Sequence, residues 1–203
     1  MAAYPTVSAP YGFKPVNRID GLPYAGAIRQ IPITASYGTA IYNGDVVKLA
    51  TGGTVEKAST SGSEITSATI LGVFVGCQYV NSSGQTVQAQ YYPTSGATSA
   101  IAYVVDDPMA AFKVAVAYSN ATVTTVTQAA VGTNMSYYNG TGSTTTGDSG
   151  AFVTAASGAN TATLPFRVIA VVPDTNVTAT TFCEVIVKVN TDQYNTALAN
   201  NLS

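Results

Sequence analysis

The chain contains no histidine and no tryptophan, and only two cysteines. Without an imidazole there is no His-based general acid or base, no His-ligated metal, and no Ser–His or Cys–His nucleophile. Charge is scarce as well. Charged residues make up 9% of the 203 positions, against roughly a quarter in ordinary soluble domains. The cations Lys14, Arg18, Arg29, Lys48, Lys57, Lys113, Arg167 and Lys188 are dispersed. They form no stripe able to neutralise several phosphates, so no nucleic-acid partner is expected. Mean hydropathy is +0.22, yet every apolar run is cut by Thr, Gly, Pro or a charge. A spanning helix needs about 20 consecutive apolar residues, so no membrane partner is expected. The opening MAAYPTVSAP has neither a basic nor an apolar leader region, and no secretion signal is expected from it. Cys77 and Cys183 each sit in an apolar strand pattern. They are either a disulfide between neighbouring strands or two buried free thiols acting as small hydrophobes.

Thr, Ser, Asn and Gly take the place of the missing charges. A surface of that kind suits burial against other protein. The apolar residues recur with the two-residue period of strands. Thr69–Val80, TILGVFVGCQYV, is the longest apolar run and reads as a central strand. Alternation places Gly72 and Gly76 on one face, closely approached by another backbone or ring, and Leu71, Val73 and Val75 on the other. Further strands are expected at Gln30–Thr34, Asp45–Leu49, Thr54–Lys57, Thr86–Tyr92, Ile101–Asp106, Ala111–Tyr118, Thr163–Pro173 and Thr180–Asn190. Asn43-Gly44, Gly52-Gly53 and Asn81–Gly84 supply the turns between them. Thr86–Tyr92 and Ile101–Asp106 are expected to pair with each other. Asn139–Ser149 reads as a long flexible loop. The fold class is therefore all-β, an antiparallel barrel or sandwich with very little helix.

Three parts are expected along the chain. Residues 1–30 form an extended arm, in which Pro5, Pro10 and Pro15 block helix and central strand while Tyr4, Tyr11 and Phe13 argue against plain disorder. The arm lies either on its own domain or on a neighbouring subunit. Residues 31–190 form the β-domain, with a flap over 120–160. Residues 191–203 form a tail with a short helix capped by Asp192.

The motifs that suggest chemistry are few. Gly147-Asp148-Ser149-Gly150 matches the sequence around a serine-protease nucleophile. With no imidazole to take the serine proton, a Gly/Asp/Ser turn is the expected reading. Asp106-Asp107-Pro108 is the one acidic pair and reads as a strand-ending turn, since glycosidase acids flank a sugar and are not adjacent in sequence. There is no P-loop, dinucleotide fingerprint, CxxC or EF-hand. No catalytic residue, no metal ligand and no cofactor are expected, and the chain is not expected to be an enzyme.

Several stretches in order carry a resemblance: SAPYGFKPVNRIDGLPYAGAIRQIPI, ASYGTAIYNGDVVKL, ILGVFVG, YVVDDPMAAFKV and LPFRVIAVVP. Together they resemble the capsid decoration, or cement, proteins of tailed bacteriophages. GDVVKL, GTVEKA and ILGVFVG are similar to the small tulip-like barrel of that family. The resemblance implies a virion structural protein on the capsid exterior, made in the host cytoplasm. Its partners would be the major capsid protein and other copies of itself, a homotrimer before a dimer. It would stabilise the shell by bridging capsomers. The capsid-interacting residues are expected in the arm: Tyr4, Pro5, Pro10, Tyr11, Phe13, Lys14 and Pro15. The competing readings are a tail fibre, which usually shows repeats or a trimerising coiled segment, and a glycan-binding β-module. A major capsid protein would need a long spine helix, and no such period is present.

Overall fold

The structure is a computed structural model that describes residues 7–60, 62–118, 122–155, 159–175 and 182–194. In chain order the strands are β1 (Lys14–Arg18), β2 (Arg29–Pro32), β3 (Ile41–Tyr42), β4 (Val46–Leu49), β5 (Val55–Lys57), β6 (Gly72–Val80), β7 (Thr86–Ala89) and β8 (Tyr91–Tyr92). They continue with β9 (Thr98–Val105), β10 (Ala110–Ala117), β11 (Asn134–Met135), β12 (Tyr137–Tyr138), β13 (Phe152–Thr154), β14 (Phe166–Val171) and β15 (Cys183–Val189). Helix among the described residues is confined to short 3-10 turns such as Gln128–Ala130 and Pro173–Thr175. The all-β fold, a barrel or sandwich, expected from the strand periodicity is what the chain forms.

The described strands form two large sheets and a two-stranded ribbon, β3-β8. In the first, the strand order is β2-β9-β6-β4-β5, with β7 also on β6. The long pair β6/β9 is its spine, and β4 and β7 pair with opposite ends of β6. Just beyond β2, Ile33 bridges Val55 in parallel, and Thr34 N donates to Val55 O at 3.2 Å. That contact nearly closes the sheet into a small barrel, filled by Ile31, Val47, Val55, Leu71, Phe74 and Cys77. In the second sheet the order is β11-β14-β15-β10-β13-β12, with β1 also on β10. The outer face of the barrel packs on this sheet through Val46, Ile70, Val73 and Val105, which share a core with Phe112 and Val185.

β6 is central, as its composition predicts, but its faces do not simply alternate. Leu71, Phe74 and Cys77 point into the barrel, while Val73 and Val75 join the other core. A register shift between Phe74 and Gly76 puts Cys77 on the same face as Phe74, because an extra residue in one strand re-aims everything after it. Gly76 has φ +145°, with the Ala89 carbonyl and the Tyr103 ring close by. A Cβ on Gly72 would run into the Val105 carbonyl. The backbone and ring approach expected on the glycines is therefore present. β7 pairs with β6 across the Asn81–Gly84 turn and not with β9. β9 is instead taken on both sides by β6 and β2.

Other expectations shift locally. Asn139–Ser149 is not a loose loop. Ser143 N donates to Asp148 O at 2.9 Å, Gly147 N to Ser143 O at 2.8 Å, and Asn43 and Asp148 form a bridge. Hydrogen bonds to the β3–β4 turn hold a segment whose composition alone suggests freedom. The described part of 120–160 contributes β11, β12 and β13 to the second sheet. Most of the expected tail helix falls outside the described residues. Thr191–Tyr194 lie against the start of β6, with Ile70 N donating to Thr191 O and Gln193 N to Ile70 O.

Candidate functional site

The Asn43-Gly44 turn sets Asp45 just ahead of β4, where its carboxylate has no exposed surface. A buried carboxylate must be paired and hydrogen-bonded to be tolerated. Lys57, at the end of β5, reaches Asp45 Oδ2 at 2.9 Å. Tyr42 N donates to the same oxygen at 2.8 Å. Ser149 Oγ donates to Oδ1 at 2.6 Å and accepts from Ala151 N at 3.0 Å. The GDSG serine is thus 2% exposed and closed off by its own chain. It acts as a hydrogen-bonding peg in a turn. Tyr137, fully buried nearby, has its hydroxyl without a hydrogen-bond partner among the described residues. Burial, and then the Asp45 charge, push that phenol well above its ordinary range.

The arm meets this clasp. Gly12 N donates to Ala151 O and Phe13 N to Gly44 O. Phe13 is completely buried, stacked on Phe166 at 4.4 Å and edge-on to Tyr137 at 6.2 Å. Lys14 Nζ pairs with Asp148 Oδ1 at 2.6 Å and reaches Asn43 Oδ1 at 3.0 Å. Pro15 lies in β1, opposite Phe112 of β10. Tyr11 donates to Glu184, which also pairs with Lys113 at 3.2 Å. Burial first, and Glu184 second, hold the Tyr11 phenol in its protonated form. Pro10 is half-buried. Tyr4 and Pro5 lie outside the described residues. The structure therefore brings Tyr11, Phe13, Lys14 and Pro15 together, but against this chain's own two sheets.

After β1 the chain behaves differently. Arg18 N donates to Leu22 O and Asn17 bridges Pro23, making a small hairpin about Asp20-Gly21. From Gly21 to Ile28 the sequence is GLPYAGAI, without one charged side chain. Every residue of it is exposed except Tyr24, which is half-buried. Leu22 is 58% and Ile28 49% exposed. The two ends of this loop are pinned to consecutive aspartates. Arg18 pairs with Asp107 at 3.0 Å and Arg29 with Asp106 at 2.7 Å. The Arg29 guanidinium also lies 5.1 Å over the Tyr194 ring, itself exposed. Burial raises the Asp106 carboxyl above its ordinary value, and Arg29 opposes that rise. The acidic pair singled out in the sequence is the bracket that holds an apolar loop out into solvent.

At the other end of β2 the barrel mouth opens as a cleft of about 410 Å³. Pro32–Ser36 form one wall and Ala97–Ile101 the other, with Tyr92 between them. None of the lining side chains is charged. Ser36 at φ 58° and Ser99 at φ 49° are the described non-glycine residues in the left-handed region, and both line this cleft. Neither the cleft nor the loop was singled out from the sequence. The uncharged run GLPYAGAI was the available signal for the loop, and its turn residues masked it. The cysteines carry no site. Both are free and sit in different cores, Cys77 in the barrel and Cys183 in the second sheet. Burial pushes the Cys77 thiol up to about 12 and Cys183 up to about 11, leaving no reactive thiolate near neutrality.

Among the described residues, no group of three or more His, Cys, Asp or Glu side chains gathers in a way that would hold a metal ion. Comparison with known proteins finds no matching family, no matching curated protein and no matching solved structure.

Proposed function

We propose that this chain is a non-catalytic structural protein of a tailed-phage virion. It sits on the capsid exterior in many copies and holds neighbouring capsomers together as a decoration, or cement, protein. The observation that carries the reading is the Gly21–Ile28 loop. It is uncharged, exposed except for Tyr24, and tied to the body at its two flanks by ion pairs. An apolar surface presented in this way is costly in water and is characteristic of sites covered by other protein. The ordered motifs that resemble decoration proteins, the low charge and the small barrel support the same reading. Such a protein stabilises a shell because it binds the assembled lattice and not its parts. Many weak copies acting together then resist expansion. Anchoring by Tyr11, Phe13, Lys14 and Pro15 gives the loop a rigid base, so we assign the association surface to residues 21–28.

The test is the copy number in purified particles, measured by quantitative mass spectrometry against the major capsid protein. Near-stoichiometric copies are expected. A handful of copies per particle would place the chain in the tail and sink the proposal.

A further inference from the structure

The loop is a projection that needs cover, and the barrel-mouth cleft is a recess without an occupant. We propose that the cleft of one copy receives the Gly21–Ile28 loop of the next, so that copies associate head to tail. This rests on reading that loop as an association surface, and names its partner as a second copy of this chain.

The two surfaces match in chemistry. The loop carries no charged side chain, and neither does the lining of the cleft. Docking one in the other strands no charge away from water, which is the usual character of an interface core. The cleft is also large enough. At about 410 Å³ the cleft is within the range of sites that enclose a small ligand, roughly 300–1,000 Å³. It has room for the Leu22–Pro23 tip. Ser36 and Ser99 hold left-handed conformations uncommon for residues other than glycine. They give the cleft two walls of small side chains, against which another backbone comes close.

The placement makes the contact intermolecular. The loop enters β2 at Arg29 and the cleft begins at Pro32. At roughly 3.3 Å per residue, the eight residues of β9 separate the Asp106 bracket of the loop from the Ala97–Ile101 wall of the cleft. The Arg18–Asp107 and Arg29–Asp106 pairs tether both ends of the loop, which prevents it from folding back into its own cleft. A plug at one end of a molecule and a socket at the other is a heterologous contact, which closes into a ring or runs on as a filament.

The experiment uses the purified full chain in sedimentation-velocity runs across a concentration series. Leu22→Asp spoils the plug and Ala35→Glu, at an exposed position, spoils the socket. Circular dichroism and thermal melts verify that both remain folded. Wild type is expected to form a closed oligomer and each variant to run as a monomer. Mixing the two variants should restore a 1:1 dimer, because one intact plug then meets one intact socket. A mixture that stays monomeric would overturn the head-to-tail arrangement, and an Ala35→Glu chain that still self-associates would replace it with a loop-to-loop contact. A wild type that is monomeric at every concentration would overturn self-docking altogether. In that last case co-sedimentation with shells separates the two readings. If wild type pellets with shells and Leu22→Asp does not, the loop is still an association surface, with the shell as its occupant. If both pellet equally, the association role of the loop fails as well.

Discussion

Residues 11–18 and residues 21–28 both combine glycine, proline and tyrosine with large apolar groups, Phe13 and Val16 in the first and Leu22 and Ile28 in the second, and only the first carries charge, on Lys14 and Arg18. In the first stretch Phe13 is sealed between Phe166 and Tyr137, and β1 pairs with β10. In the second, Leu22 and Ile28 stand in water. The difference does not lie in hydrophobicity. It lies in what each segment's backbone meets. Residues 12–18 find the Gly44 and Ala151 carbonyls and then β10, while residues 19–29 cross from one sheet to the other held by Asp106, Asp107 and the Met109 carbonyl at their ends, with Tyr24 packed on the core. One half of the arm builds the fold, and the other is the surface we propose a partner covers.

Several substitutions sharpen or break that contrast, beginning with the largest effect. Phe13→Ala empties a fully buried aromatic site and should cost about 3–5 kcal/mol in chemical denaturation. For the same reason, removal of residues 1–16 should unfold the domain, so the arm is not a detachable strap. A Phe13→Ala protein of wild-type stability would move residues 11–18 into the partner-facing class. Asp45→Ala leaves the Lys57 ammonium buried without its acid and should cost about 3 kcal/mol. Ser149→Ala removes one donor from that clasp and should cost about 1–3 kcal/mol, measured the same way. Leu22→Asp should change stability by no more than about 0.5 kcal/mol, as exposed substitutions do, while abolishing association.

The smallest effect concerns pH. The folded Asp106 carboxyl titrates above its unfolded value, burial being the main cause. A raised acid pKa means the folded state holds the proton more tightly. That contribution to stability is fully present below the ordinary Asp value, and it is lost as pH rises through the raised one. At neutral pH the ionised group is therefore a cost that Arg29 only partly offsets. Asp106→Asn should leave the neutral-pH melting temperature unchanged or slightly higher, and a clear drop would show that the bracket is an energetic support of the fold.

Most of the strand framework was legible because alternation and turn dipeptides are local signals. Asn43-Gly44 and Asn81–Gly84 fall where turns occur, and β4, β5, β6, β10 and β15 follow apolar runs. β1 was hidden because Pro15 interrupts it, and it survives only at the end of β10, where a register shift absorbs the proline. The bulge at Gly76 reversed the faces of β6, and no two-residue pattern announces a bulge. The Asp45–Lys57 pair joins residues on neighbouring strands, and only the register of β4 against β5 places them together. The loop and the cleft escaped for a related reason. Exposure is a property of what fails to cover a residue, and composition does not report it.

Amide hydrogen exchange, read peptide by peptide in the dilute chain and again in the assembled particle, tests the contrast most directly. The account predicts slow exchange over residues 12–18 in both states, because their amides belong to the fold. It predicts fast exchange over residues 21–28 in the dilute chain and strong protection once assembled. Residues 21–28 exchanging equally fast in both states, with new protection appearing elsewhere, would contradict it.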